Sequence, residues 1–173
     1  MALLPIITAP DPRLKTISTP VAEITDEVRE QIADMFETMY EAPGIGLAAI
    51  QVGIQKRMLV VDVIGKNSSE GEPQPIAIIN PEIIWVSDDD ATYEEGCLSV
   101  PQHYADVVRP AEITVKYQDL DGETQELTAD GLLATCIQHE IDHLDGILFV
   151  DHISALKRNM ILRKLLKIKK QAS

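Results

Sequence analysis

Apolar positions recur along this chain in three rhythms. Val28, Ile32, Met35, Phe36 and Met39 fall at three- and four-residue steps, the stripe of a helix laid against a core. Thr25 precedes that stripe as an N-cap, Asp26 and Glu27 place acid in the first turn, and Pro43-Gly44 ends it. The rhythm then shortens to β-branched runs. Arg57 to Val63, Ile76 to Asn80, Glu82 to Val86, Tyr104 to Val108, Glu112 to Leu120 and Glu123 to Leu127 are predicted strands, with a break at Pro81 and a hairpin at Asp121-Gly122. The third rhythm is the run from Gly131 to Phe149, apolar nearly all the way round, as in a helix buried inside a domain. Ser154 then caps a last amphipathic helix with Leu156, Ile161, Leu165 and Leu166 on one side. The expected fold class is α+β: antiparallel strands packed around the buried helix, with the N-terminal and C-terminal helices outside.

The intervening segments read as connections. Pro5 to Pro20 holds four prolines and suggests an extended arm over the surface. Gly65 to Pro75 reads as an exposed polar loop prone to disorder, and Asp88-Asp89-Asp90 as a solvated acidic turn that lacks the alternating frame of a calcium loop.

Composition narrows the function classes. At 173 residues the chain suits a single domain spanning 1–173, with 153–173 as a basic helix and tail. No apolar run approaches the length of a membrane span and the first residues lack the pattern of a signal peptide, so a cytoplasmic protein without membrane contact is expected. A net charge of −13 argues against general nucleic-acid binding and against a specific DNA partner. The charge is uneven, however: no Asp or Glu follows Asp151, while Lys157, Arg158, Arg163, Lys164, Lys167, Lys169 and Lys170 crowd the end. That helix is expected to dock on ribosomal RNA, the plain alternative being a solvated face.

Candidate chemistry sits in the buried run. Gln138-His139-Glu140-Ile141-Asp142-His143 contains H-E-x-x-H. Four residues apart on a helix, His139 and His143 stand about 40° apart around the axis and roughly 6 Å along it, close enough to share one metal ion. Core histidines bonded to backbone are the alternative, but an unpaired buried polar group costs on the order of 1–3 kcal/mol, and one divalent ion relieves both rings. Glu140 flanks them without being a third helical ligand.

The third ligand decides the class. The extended protease pattern would need a histidine where Phe149 stands, and no glutamate follows Glu140; Asp145, Asp151 and His152 lie downstream at no familiar spacing. Upstream, Glu94-Glu95-Gly96-Cys97-Leu98-Ser99-Val100-Pro101 presents a thiol beside a glycine in a segment without helical periodicity. A thiolate and two imidazoles leave one tetrahedral position open, the arrangement of a catalytic site. Cys136, three residues before His139, is the rival; as a ligand it would demand that one rigid helix supply three successive turns to one ion, so it is read as a small core residue. A Cys97–histidine nucleophilic pair is a further alternative. Gly44-Ile45-Gly46 permits close backbone approach, and Gln51 offers an amide a few residues later.

Together, Gly44-Ile45-Gly46-Leu47-Ala48-Ala49-Ile50-Gln51, Glu95-Gly96-Cys97-Leu98-Ser99 and Gln138-His139-Glu140-Ile141-Asp142-His143 resemble the three motifs of the bacterial peptide deformylases, in that family's order and spacing. The resemblance implies removal of the formyl group from N-terminal formylmethionine of new polypeptides, with release of formate. It implies Cys97, His139 and His143 as metal ligands, Glu140 as catalytic acid and base, the Gln51 side chain and Leu98 N–H as oxyanion donors, and Gly46 backbone as a substrate contact. It implies one iron(II) per chain, replaceable by zinc, nickel or cobalt, and N-formylmethionyl nascent peptides as partners. After Pro101 many members read Glu-Gln-Arg where this chain has Gln102-His103-Tyr104, so an arginine near the substrate entrance is absent. The competing functions are an H-E-x-x-H endopeptidase, and a binding module in which the ion is purely structural.

Overall fold

A computed structural model describes residues 3–65 and 71–172 of the chain. Five strands, β1 (Gly46–Ala48), β2 (Met58–Val61), β3 (Ile76–Val86), β6 (Glu112–Gln118) and β7 (Thr124–Asp130), form an antiparallel sheet in the order β1-β2-β3-β6-β7. The remaining two, β4 (Asp90–Cys97) and β5 (Val100–Pro110), form a separate antiparallel ribbon. The helices are α1 (Asp26–Glu41), α2 (Gly131–Leu144) and α3 (Ala155–Ala172). This is the mixed helix and antiparallel-sheet class that the pattern predicts.

The β1-β2 side of the five-stranded sheet is covered on both faces, and the period of two along β2 shows how. Leu59 and Val61 join Ile113, Val115, Ile137 and Ile141 in the core beneath α2, whereas Met58 and Val60 join Val28, Ile32, Met35 and Met39 beneath α1. All four β2 residues are thus buried. Burial of each such side chain is worth about 1.5–3 kcal/mol, so these two layers hold β2 between the helices. Besides the sheet, α2 touches both strands of the ribbon. A third core gathers Ile7, Leu14, Val100, Val107, Phe149 and Leu165, joining the N-terminal arm, the ribbon and α3.

The helix limits follow the caps. Thr25 accepts a hydrogen bond from Val28 N–H at 3.3 Å, and Ser154 accepts one from Lys157 N–H at 3.2 Å. α2 stops at Leu144 because the chain turns at Gly146 (φ 76°), where an added Cβ would lie 2.6 Å from Lys15 carbonyl oxygen. The Pro5 to Pro20 arm is extended apart from a 3₁₀ turn at Pro12–Lys15, and its backbone pins two later motifs: Ile7 N–H donates to Gln51 O and Ala9 N–H to Ser99 O, each at 2.7 Å.

Three expectations need correction. β3 runs unbroken through Pro81, because a bulge between Ile79 and Glu82 absorbs the missing donor. Cys97 ends a strand, β4, at a tight turn that pairs it with Val100. On α3, Ile161, Leu162 and Leu165 face the body while Leu156 and Leu166 are exposed. Of the loop predicted between Gly65 and Pro75, residues 66–70 lie outside the described residues.

Candidate active site

The site forms where α2, the end of β4 and the segment around β1 meet. One turn of α2 carries His139, Glu140 and His143, all buried. The ribbon brings Cys97 to them, so that Cys97 Sγ lies 3.3 Å from His143 Nε2, and His143 Nε2 lies 3.2 Å from His139 Nε2. Among the described residues these three form the one His/Cys/Asp/Glu group whose donor atoms converge, all within 4.8 Å of one another.

The donors fit a metal ion. Tetrahedral ligands at ordinary zinc distances stand about 3.4–3.6 Å apart, close to the separations seen. His139 Nδ1 meets Glu95 Oε1 at 2.9 Å, which leaves Nε2 to ligate. Burial and the neighbouring His139 hold His143 well below the ordinary histidine value, in the neutral form that ligates. For His139 burial acts downward too, but the Cys97 sulfur and Glu95 outweigh it and raise the ring well above its usual value. A positive charge is therefore favoured between these groups, and a metal cation satisfies that demand. The Cys97 sulfur also accepts from Gln51 Nε2 and from Ser99 N–H, each at 3.4 Å, donors that stabilise a thiolate.

Cys136 is elsewhere engaged. Its thiol points to Ile45 O at 3.6 Å, and burial, reinforced by Glu140 and Glu95, pushes it well above the normal thiol value. It stays protonated and packs. A Cβ on Gly46 would lie 2.7 Å from that sulfur and 3.0 Å from Glu140 Cγ, so glycine is what lets β1 lie against α2.

Glu140 is the buried carboxyl beside this group. Burial raises it to about 7. Its Oε1 lies 3.6 Å from His139 Nε2, and its Oε2 is buried without a hydrogen-bond partner among the described residues. Such a carboxyl exchanges protons near neutrality. It lines a cavity of about 670 Å³ together with Gly46, Gln51, Cys97, Leu98 and His139. Gln51 is held by its own oxygen, which accepts from Ala48 N–H at 2.9 Å, so its amide nitrogen faces Ser99 Oγ and Cys97.

The sequence model of the family described as Polypeptide deformylase matches residues 3–159. This chain belongs to that family. A peptide deformylase of Rhodopseudomonas palustris (strain BisB5) is 57% identical over 171 residues, covering 99% of this chain and 97% of its own. The crystal structure of a peptide deformylase from Legionella pneumophila has 46% identity and a TM-score of 0.89, with 99% of this chain and 98% of that one covered. A peptide deformylase from Ehrlichia chaffeensis, solved in complex with actinonin, has 42% identity and a TM-score of 0.91 over 96% of this chain and 98% of that one.

Pattern reading missed the charged support of this deformylase site. Arg109 grips Glu95 with two hydrogen bonds of 2.7 and 2.9 Å and Asp142 with one of 2.8 Å, and Glu95 in turn orients His139. Burial would raise Glu95, but His139 and Arg109 hold it below the ordinary carboxylate value and keep it ionised. One signal was available. In a strand, Glu95 shares a face with Cys97 two residues on, so a carboxylate was aimed toward the ligands.

Proposed function

We propose that Cys97, His139 and His143 hold one iron(II) ion, with Glu140 as acid and base, in an enzyme that removes the N-formyl group from N-terminal formylmethionine of newly synthesised polypeptides. The observation that carries this reading is the convergence of three donors beside a buried carboxyl that lines a cavity and whose Oε2 has no hydrogen-bond partner among the described residues. Thiolate with two imidazoles suits iron(II) or zinc, with nickel and cobalt as further replacements. The chemistry such an ion supplies is Lewis acidity, which makes water nucleophilic near neutral pH and polarises the formyl oxygen.

The residues divide the rest of the work. Glu140 takes a proton from the water that adds to the formyl carbon. Charge then developing on the formyl oxygen is met by the Gln51 amide and the Leu98 N–H, both at the cavity wall. Glu140 delivers the proton to the amine nitrogen as the C–N bond breaks, which yields formate and a free amino terminus. The substrate backbone lies along Gly44-Ile45-Gly46 at the outer side of β1, the edge of the sheet, as an added strand. The H-E-x-x-H helix is the organising element of a single catalytic domain, 1–173, acting in the cytoplasm. No helix among the described residues is long and apolar enough to cross a membrane. The basic residues of α3 serve for contact with ribosomal RNA.

The test is anaerobic reconstitution of chelator-treated protein with iron(II), zinc, nickel or cobalt, followed by formate release from formyl-Met-Ala-Ser. Glu140→Gln is expected to retain the metal by elemental analysis and to lose turnover. Wild-type turnover in Glu140→Gln, or full metal content in Cys97→Ala, would overturn the assignment.

A further inference from the structure

Asp62 is a buried ionisable residue that the catalytic roles above leave unused. It follows β2 directly, is 0% exposed, and connects three parts of the molecule. Its Oδ2 accepts from Tyr40 Oη, in the last turn of α1, at 2.7 Å. Its Oδ1 accepts from the backbone N–H groups of Ile64 at 3.2 Å, Gly65 at 2.9 Å and Gln74 at 3.1 Å, which ties together the two ends of the loop after β2. Its own N–H donates to Ile45 O at 2.8 Å. Ile45 O also receives the Cys136 thiol from α2.

Burial of a carboxylate carries a desolvation cost that well-packed apolar residues avoid, so the contacts matter for what they position. Here they converge on one point of the cavity wall. Gly44 is fixed on the helix side by its N–H to Met39 O at 2.7 Å, and a Cβ there would lie 2.8 Å from Leu98 Cδ1, so the segment is closely confined from both ends. Between these anchors, the Ile45 carbonyl accepts from the main-chain N–H of Asp62 and from the Cys136 thiol, and the following Gly46 pairs with Val61, the residue before Asp62.

We infer that the Asp62 carboxylate is a positioning residue for substrate binding: by tying the end of β2 to Tyr40 and to both ends of the following loop, it holds in place the main-chain N–H that fixes the Ile45-Gly46 backbone where a peptide strand pairs with it. The inference rests on the reading that formylated peptides lie along this edge. Among the described residues Asp62 is hydrogen-bonded to neither Cys97, His139, His143 nor Glu140, so its loss alters binding of the peptide backbone rather than the hydrolytic step. Interactions made equally in ground and transition states appear in KM and leave kcat alone.

The experiment compares iron-loaded wild type, Asp62→Ala, Asp62→Asn and Tyr40→Phe on formyl-Met-Ala-Ser and on formylmethionine amide, which lacks the extended backbone. With wild type the tripeptide should show the lower KM. In Asp62→Ala its KM should rise about tenfold, the effect of losing a buried hydrogen-bond centre, with kcat within about twofold. Asp62→Asn keeps the oxygen that serves three N–H groups and offers an N–H to Tyr40, so it should return KM toward wild type, a rescue that loss of folded protein would not produce. Tyr40→Phe should move KM the same way by less, and it decides the matter if Asp62→Ala does not fold. An unchanged tripeptide KM in folded Asp62→Ala and in Tyr40→Phe overturns the inference, as does a fall in kcat with KM constant. Equal wild-type KM for the two substrates overturns the strand reading itself, a separate outcome visible before any variant is made.

Discussion

Glu95 holds the ring of His139, the proposed metal ligand, and it does so as one member of a chain. His152 Nε2 meets Asp142 Oδ2 at 2.8 Å, Asp142 meets Arg109, Arg109 meets Glu95, and Glu95 meets His139. Arg109 is only 6% exposed, so removing Glu95 leaves most of a guanidinium charge uncompensated away from water. Losing one partner of a buried ion pair costs about 3–5 kcal/mol. Removing the group behind a metal-ligating histidine weakens metal binding by roughly 10–100-fold. Glu95→Ala is therefore expected to unfold at lower denaturant and to surrender its metal to a competing chelator at lower concentration. If chelator competition matched wild type, the orienting role would be wrong even though the stability loss stood.

At the level of elements, the placement of the site depends on how α2 is held at its C-terminal end. Its last turn carries His143, and the chain leaves it through Asp145 and Gly146 against the backbone of the N-terminal arm. Gly146 has φ 76° and no room for a Cβ, which would meet Lys15 O at 2.6 Å. Gly146→Ala combines left-handed strain, about 1–3 kcal/mol, with displacement of the arm, so the loss of stability should reach at least that range in urea unfolding. A change below a few tenths of a kcal/mol would show that the arm yields freely. These elements were unequally legible in the sequence. α1 was clear because cap, period and breaker agreed within the segment, and α2 because its run is apolar nearly all the way round. β3 was misread as two strands, since a proline signals a break and only the partner strand reveals a bulge. Cys97, His139 and His143 stood out by residue type and motif spacing, whereas the Arg109–Glu95 pair depends on a fold between positions fourteen residues apart. Asp62 carried no motif at all; its role exists only once α1, β1 and the loop after β2 are brought together.

For the whole molecule, the charge is divided between an acidic body and a basic last helix. The chain carries −13 in total, yet α3 presents exposed Lys157, Arg163, Lys164, Lys167 and Lys169 on a helix seated by Ile161, Leu162 and Leu165. An anionic body approaches RNA only through such a local patch, and the attraction must weaken with salt as released counterions become less favourable. Deleting α3 would be a poor probe, because Leu165 belongs to the third core with Val100 and Phe149, and its loss would reach the ribbon that bears Cys97. Neutralising Lys164→Gln with Lys167→Gln changes exposed charges and leaves that seat intact. The double variant should deformylate free formyl-Met-Ala-Ser as wild type does. Its ribosome affinity should fall, and the plot of log affinity against log salt should become shallower by roughly 1.5–2, the slope lost with two phosphate contacts. Unchanged affinity and slope would mean that these lysines only face solvent, and that the enzyme meets nascent chains by diffusion.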